Sequence, residues 1–240
     1  MAVIGAAMLD TMLQVQNTSE GGLEAQLAMA GTANPNFASK SYPAIVKFAA
    51  GGVGRNIAEC IARCGTRAVL FTAIGQDPNG NALMEYMNEI NTGGYGETVR
   101  PRNTDEPRLD LSHVKPTSRI KTAAYYAVLK PNGAFMFGVN SALITERITS
   151  DYIIENADVI TKASLLVIDT NIPASTIATA VVCFSALPSC SRSPLLLSSS
   201  YSFSCTRRVS MRNRLDYVCV VRRTWLRRTA CPFGSSRRQA

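Results

Sequence analysis

The chain has 240 residues, 46% of them hydrophobic, and 25 basic against 17 acidic side chains give a formal net charge of +8. That length is ample for one α/β domain with a sizeable core. No run of 18 apolar residues occurs, which argues against a transmembrane helix, and no basic stretch precedes an apolar segment at the N-terminus, so a cytosolic address is expected.

In chain order, Ala2–Ala7 reads as a short buried strand. Residues 15–43 are polar and rich in Gly, Asn, Ser and Pro, an excursion from the core. Ala44–Ala49 alternates around Val46 and Phe48 as a strand does, and runs into the cluster Gly51-Gly52-Val53-Gly54-Arg55-Asn56. Val53, Ile57, Ile61 and Cys64 then follow at helical spacing and predict one apolar face, with Gly65 placed as a C-cap. Cys60 and Cys64 read as small hydrophobes on that helix. Arg67–Ile74, rich in β-branched and aromatic residues, predicts a strand. Pro78–Ile90 predicts a helix with Pro78 in its first turn and Leu83, Met87 and Ile90 along one face. Residues 92–118 read as loop.

A β-hairpin is predicted next, with Thr122–Leu129 and Ala134–Val139 flanking the turn Pro131-Asn132-Gly133. Thr149–Asn156 predicts a short helix capped by Thr149 or Ser150. Leu165–Asp169 predicts an apolar strand, and Pro173–Val182 the start of another helix. Strands alternating with helices imply a mainly parallel sheet covered on both faces.

The glycine cluster carries the strongest functional signal. Glycines let a backbone approach a ligand where any Cβ would clash, and they tolerate positive φ. Asn56, one turn into the helix, can donate and accept hydrogen bonds. The competing reading is a tight strand-to-helix turn whose glycines serve packing alone. The spacing fits neither a dinucleotide-binding fingerprint nor a P-loop. Asp10 is read just past a strand end, where open α/β sheets bind ligands and a carboxylate can accept two hydrogen bonds from a diol; a helix or turn cap is the alternative. Asn171 sits at another strand end, beside Asp169, which can cap the following turn. His113 reads as an ordinary loop residue.

The segment GGVGRNIAECIARCG resembles the N-terminal signature of the ribokinase (PfkB-type) family of sugar and nucleoside kinases. Val3-Ile4-Gly5-Ala6-Ala7-Met8-Leu9-Asp10 is similar to that family's first strand with its sugar-binding Asp. Ala68–Asp77 is similar to the next strand and its Gly-x-Asp turn. Within the family, GVGRN-x-AE and the hairpin Thr122–Leu129 look most similar to pseudouridine kinases, which in some eukaryotes are fused to a glycosidase. The resemblance covers roughly residues 1–182. It implies a ribokinase-like α/β fold whose central, mainly parallel sheet is flanked by helices, with a small β-lid from segments at about 12–50 and 100–140. It implies sugar contacts from Asp10, Gly51, Gly52, Asn56 and Asn171, with Arg55 reaching a base or a lid carboxylate. Thr122 and Tyr125 become candidate lid contacts, on opposite faces of the hairpin by alternation. ATP and Mg would be the family's co-substrate and metal, pseudouridine the acceptor at its 5′-hydroxyl, and the lid a homodimer contact.

Phosphoryl transfer needs charge stabilisation at the γ-phosphate and a base. By resemblance, both come from a late motif close to Asp-Thr-x-Gly-Ala-Gly-Asp, whose glycines open a helix N-terminus. Nothing like it follows Val182, and the family's Asn-x-x-Glu motif is missing from that part of the chain, so no catalytic residue is assigned and an inactive kinase fragment is expected. Without the remaining strands, Leu165–Asp169 should present an open edge that invites aggregation and leaves stability marginal.

Composition changes abruptly at residue 183. Residues 183–240 hold eleven arginines, no lysine and one acid, Asp216, a net of +10, together with five of the seven cysteines and twelve serines. Four readings stand: an arginine-rich segment binding nucleic acid or an anionic membrane; a cysteine-bridged extension, though five cysteines leave one unpaired; a metal site, for which no CxxC pair exists; or an out-of-frame, non-native and disordered tail. The alternative function is accordingly a non-catalytic binding or regulatory protein whose basic tail contacts anions.

Overall fold

The structure is a computed structural model that describes residues 1–16, 41–92, 107–186, 199–206 and 218–225. Strands β1 (Ala2–Ile4), β4 (Ala68–Gly75), β5 (Leu109–Asp110), β6 (Val114–Thr117) and β9 (Leu165–Asp169) form the parallel part of the main sheet. β1 lies between β9 and β4, with Val3 in register with both Val167 and Leu70. β5 and β6 both pair with β4, and no sequence signal marked them. Pro116 falls in β6, which pairs on one side only, a place where a residue without an N–H fits.

Period-two alternation assigns the two faces of β1 to two cores. Ala2 and Ile4, with Phe71, Leu166 and Ile168, meet Ile153, Ile160 and Phe184 of helices α3 (Ser150–Glu155), α4 (Ala157–Lys162) and α5 (Ala174–Ser185). Val3, Leu70 and Val167 meet Ala58, Ala62, Leu83 and Met87 of α1 (Val53–Arg63) and α2 (Pro78–Thr92). Fully burying each large side chain stabilises the fold by about 1.5–3 kcal/mol.

Helix α1 corrects the predicted face. Its buried residues are Gly54, Arg55, Ala58 and Ala62, while Ile57 and Ile61 only flank the core and Cys60 and Cys64 are exposed. The cause is close approach: a Cβ on Gly54 would lie 2.6 Å from the Gly5 Cα, so only small residues fit beneath the helix.

The small sheet runs β3-β2-β7-β8, from β2 (Met8–Val15), β3 (Ala44–Gly51), β7 (Ala123–Leu129) and β8 (Phe135–Ser141). It begins earlier than predicted, so Asp10 lies inside a strand and not past the end of one. The predicted hairpin is present: Gly133 takes φ 81°, Lys130 N–H donates to Ala134 O at 2.8 Å, and Asn132 Oδ1 accepts from Ala134 N–H at 2.9 Å. Most of the predicted excursion at 15–43 lies outside the described residues.

The predicted open edge at β9 is corrected too. Strand β11 (Val218–Trp225) pairs antiparallel with β9, Val220 opposite Val167, and β10 (Ser199–Thr206) pairs with β11. These two stretches of the arginine-rich segment are strands, not disordered chain. Val220 is partly buried against the α1–α2 core. Three of the four residues 218–221 are valines, whose β-branching suits a strand. The rest of residues 187–240 lies outside the described residues.

Candidate functional site

The site is built where the connector Gly5-Ala6-Ala7 leaves the carboxyl end of β1 and crosses the glycine turn between β3 and α1. Gly52, the N-cap of α1, has φ +95°, and a Cβ there would meet Ala6 O at 2.4 Å and Ala7 Cα at 2.7 Å. The glycines thus satisfy the packing reading. Gly51 does more: a Cβ on it would sit 2.2 Å from Asp10 Oδ2, so its missing side chain is the space the carboxylate occupies.

Asp10 is half-buried on β2, in register with Ala49 of β3 and Tyr125 of β7, and Tyr125 with Asn140 of β8. Same-row residues share a face, so Asp10, Tyr125 and Asn140 line one side of the small sheet. Asp10 Oδ1 is buried and meets no hydrogen-bond partner. Burial raises the Asp10 carboxyl to about 6, an effect the Arg55 guanidinium partly opposes. A buried acceptor without a donor is costly unless something fills the role.

Asp169, fully buried at the end of β9, ties the second predicted strand end to the first. Its Oδ2 accepts from Ala6 N–H at 3.2 Å, and its Oδ1 accepts from Asn171 N–H at 3.0 Å and Asn171 Nδ2 at 2.8 Å. It caps the turn and aims the exposed Asn171. Asn56 is exposed, and its Oδ1 accepts from Arg55 Nη1 at 2.7 Å. Arg55 turns away from a ligand role on the Asp10 side: Nη1 also donates to Ala50 O at 2.7 Å, and Nη2 pairs with Glu59.

Thr122 is placed differently from a lid contact. It lies just before β7, buried, its N–H donating to Asp77 Oδ2 and its hydroxyl to Asp77 Oδ1, both at 2.8 Å, while Gly75 N–H donates to that hydroxyl at 2.9 Å. Gly80 N–H at the start of α2 also donates to Asp77 Oδ1. Asp77 therefore fastens the first residue of the hairpin to the end of β4. Sequence reasoning missed this clasp, for which the short spacing Gly75-x-Asp77 was the signal available; it read Asp169 as a turn cap, which it is, but not its tie to Ala6 N–H. His113 is structural, stacked on Phe71 at 4.9 Å with Nδ1 against Asn156 Oδ1.

Among the described residues, no three His, Cys, Asp or Glu side chains gather into a metal site.

A parallel sheet with acids and amides at the carboxyl ends of its strands, overlaid by a four-stranded sheet that carries an unpartnered carboxylate, is the ribokinase-like fold. The model of the pfkB family of carbohydrate kinases matches residues 25–92. It is 31% identical over 132 residues to the pseudouridine kinase of Escherichia coli, a match spanning 55% of this chain and 37% of that protein. Among solved structures it is similar to the ribokinase of Giardia lamblia, at TM-score 0.53 and 18% identity, covering 76% of this chain and 48% of that one. It is also similar to an Arabidopsis thaliana ribokinase complexed with ribose and ATP, at TM-score 0.50 and 17% identity, again covering 76% and 48%. The chain thus spans about a third of the curated relative and about half of these structures. No helix among the described residues is long and apolar enough to cross a membrane.

Proposed function

We propose that these residues form the sugar-binding half of a nucleoside kinase whose acceptor is pseudouridine. The observation that carries this reading is Asp10: a half-buried carboxylate with an unpartnered oxygen, set in a space that Gly51 keeps open at the carboxyl end of the main sheet. Two vicinal hydroxyls of a ribose supply the two donors that one carboxylate accepts. Asn171, held by Asp169, and the backbone at Gly51-Gly52 are assigned to the same sugar, with Tyr125 bordering it from β7. Asn56 is its outer amide contact. The likeness to a pseudouridine kinase supports the choice of nucleoside, and the ribokinase likeness supports ATP as phosphoryl donor in a complete enzyme, which would act on the 5′-hydroxyl.

Binding and chemistry separate in this chain. Its 240 residues carry no glycine-led helix start with a following Asp after Val182, so the anion hole and base of phosphoryl transfer have no residues assigned to them. The expected result is saturable binding of pseudouridine by equilibrium dialysis, with no pseudouridine 5′-phosphate formed from Mg-ATP. Asp10→Ala should weaken binding by at least about tenfold, the worth of a charge-assisted hydrogen bond. Equal retention by the variant would remove Asp10 from the site.

A further inference from the structure

The last two strands place a pair of cysteines opposite each other. β10 and β11 run antiparallel with Cys205 in register with Cys219, and Cys219 is in turn in register with Ile168 of β9. Directly opposed residues of an antiparallel pair have Cα atoms about 4.5 or 5.5 Å apart, according to whether the pair is hydrogen-bonded. Both spacings lie within the roughly 4.4–6.8 Å that a disulfide spans. Val220, one row along, packs on the α1–α2 core, so alternation puts the row Ile168–Cys219–Cys205 on the α3–α5 side of the sheet.

Among the described residues, no other two cysteines share a row of a sheet. Cys60 and Cys64 are exposed at α1, and Cys183 packs from α5 against the helix core, where burial raises its thiol and disfavours the reactive thiolate. Cys205 has the opposite setting in the sequence. Arg207 and Arg208 follow it by two and three positions, in a segment of net charge +10, and neighbouring cations favour a thiolate.

We propose that Cys205 and Cys219 form a reversible disulfide that fastens β10 to β11. The oxidant is a low-molecular-weight disulfide, of which oxidised glutathione is the probe. One cysteine thiolate attacks it, giving a mixed disulfide and releasing one small thiol. The other cysteine then attacks the protein sulfur of that mixed disulfide, forming the Cys205–Cys219 bond and releasing the second thiol. The two small thiols carry away the two electrons and two protons that the cysteines lose, and excess thiol reverses both steps. The bond closes the 15 residues from 205 to 219 into a loop, which restricts the unfolded chain more than the folded one. Because β11 covers the edge of β9, the state of this pair sets how firmly that edge stays closed. None of this depends on the sugar assignment.

The test incubates the full chain with oxidised glutathione, once in native buffer and once in urea, and maps the linked peptides by mass spectrometry. In native buffer the Cys205–Cys219 link should be the main product and should open with dithiothreitol, whereas the urea sample should give mixed pairings. The oxidised chain should unfold at a urea midpoint about 1 M above that of the reduced chain, the shift a closed loop of this size implies. Cys205→Ser and Cys219→Ser should each lose both the link and the shift, while Cys190→Ser keeps both. A native map dominated by links to Cys190 or Cys231, by links between chains or by glutathione adducts would overturn the proposal. The same pairings in both buffers, or an unchanged midpoint, would overturn it too.

Discussion

At the scale of single residues, the account rests on what a carboxylate does when its partner is missing. Asp10 is raised to about 6 by burial, against the opposing pull of Arg55, from an ordinary value near 3.8. A folded state that holds its proton more tightly than the unfolded chain is favoured by acid, so this group's contribution to stability falls as pH rises from about 4 to about 6. Ligand binding runs the other way, because only the ionised form accepts from both hydroxyls. Pseudouridine affinity should therefore be about tenfold lower at pH 5 than at pH 7, in proportion to the ionised fraction; a flat profile in calorimetry over that range would exclude Asp10 as the acceptor. Gly51→Ala should abolish binding as well, since its methyl group needs the volume the carboxylate fills. The glycine turn before α1 was legible in the sequence, whereas Asp10 was read past a strand end and lies inside β2. The turn of Arg55 away from Asp10 was not legible, since it depends on which side of α1 is buried.

At the scale of elements, small residues decide how helix and lid are seated. The apolar stripe of α1 was misread because periodicity ranks large side chains first. The helix instead presents Gly54, Ala58 and Ala62 to the sheet, where Gly5 lets two backbones meet. The lid hairpin was legible from Pro131-Asn132-Gly133, whereas β5 and β6 are short pieces whose pairing comes from β4 alone. The hairpin hangs on Asp77, whose carboxyl is pushed up by burial but held below its ordinary range overall by hydrogen bonds from Thr122 and Gly80. Removing the hydroxyl in Thr122→Val should destabilise the fold by about 1–3 kcal/mol and leave a buried oxygen of Asp77 short of a donor. Urea unfolding checks this, and an unchanged midpoint would show the clasp to be dispensable. The outer lid face carries Val46, Tyr126, Phe137 and Val139 exposed. We assign it to a second copy of the chain, so Val139→Lys with Phe137→Lys should shift the sedimentation profile toward monomer. A wild-type monomer at all concentrations would refute that assignment.

At the scale of the whole molecule, two parts of different character contribute strands to one sheet. The first 182 residues carry a slight negative charge and the last 58 carry +10. The change in composition was plain in the sequence; that Val218–Trp225 would lie along β9 was not, because strand partners far apart in sequence leave no local signal. With β11 in place, β9 has neighbours on both sides, and Val220 covers part of the α1–α2 core. Ending the chain at Ser185 should strip that cover and expose the β9 edge, so the shortened protein should aggregate at concentrations where the full chain stays in solution. Light scattering of the two proteins side by side decides this, and equal solubility would mean that β11 contributes nothing to the edge.

The central claim is that the Asp10 carboxylate receives a ribose diol, and its own titration is the most direct test. Carbon-13 NMR of the labelled Asp10 carboxyl should give a midpoint near 6 in the free protein. With saturating pseudouridine the midpoint should move down by about one unit or more, because a ligand that prefers the ionised form must lower the pKa. A midpoint that stays put while pseudouridine is bound would place the nucleoside elsewhere and contradict the account.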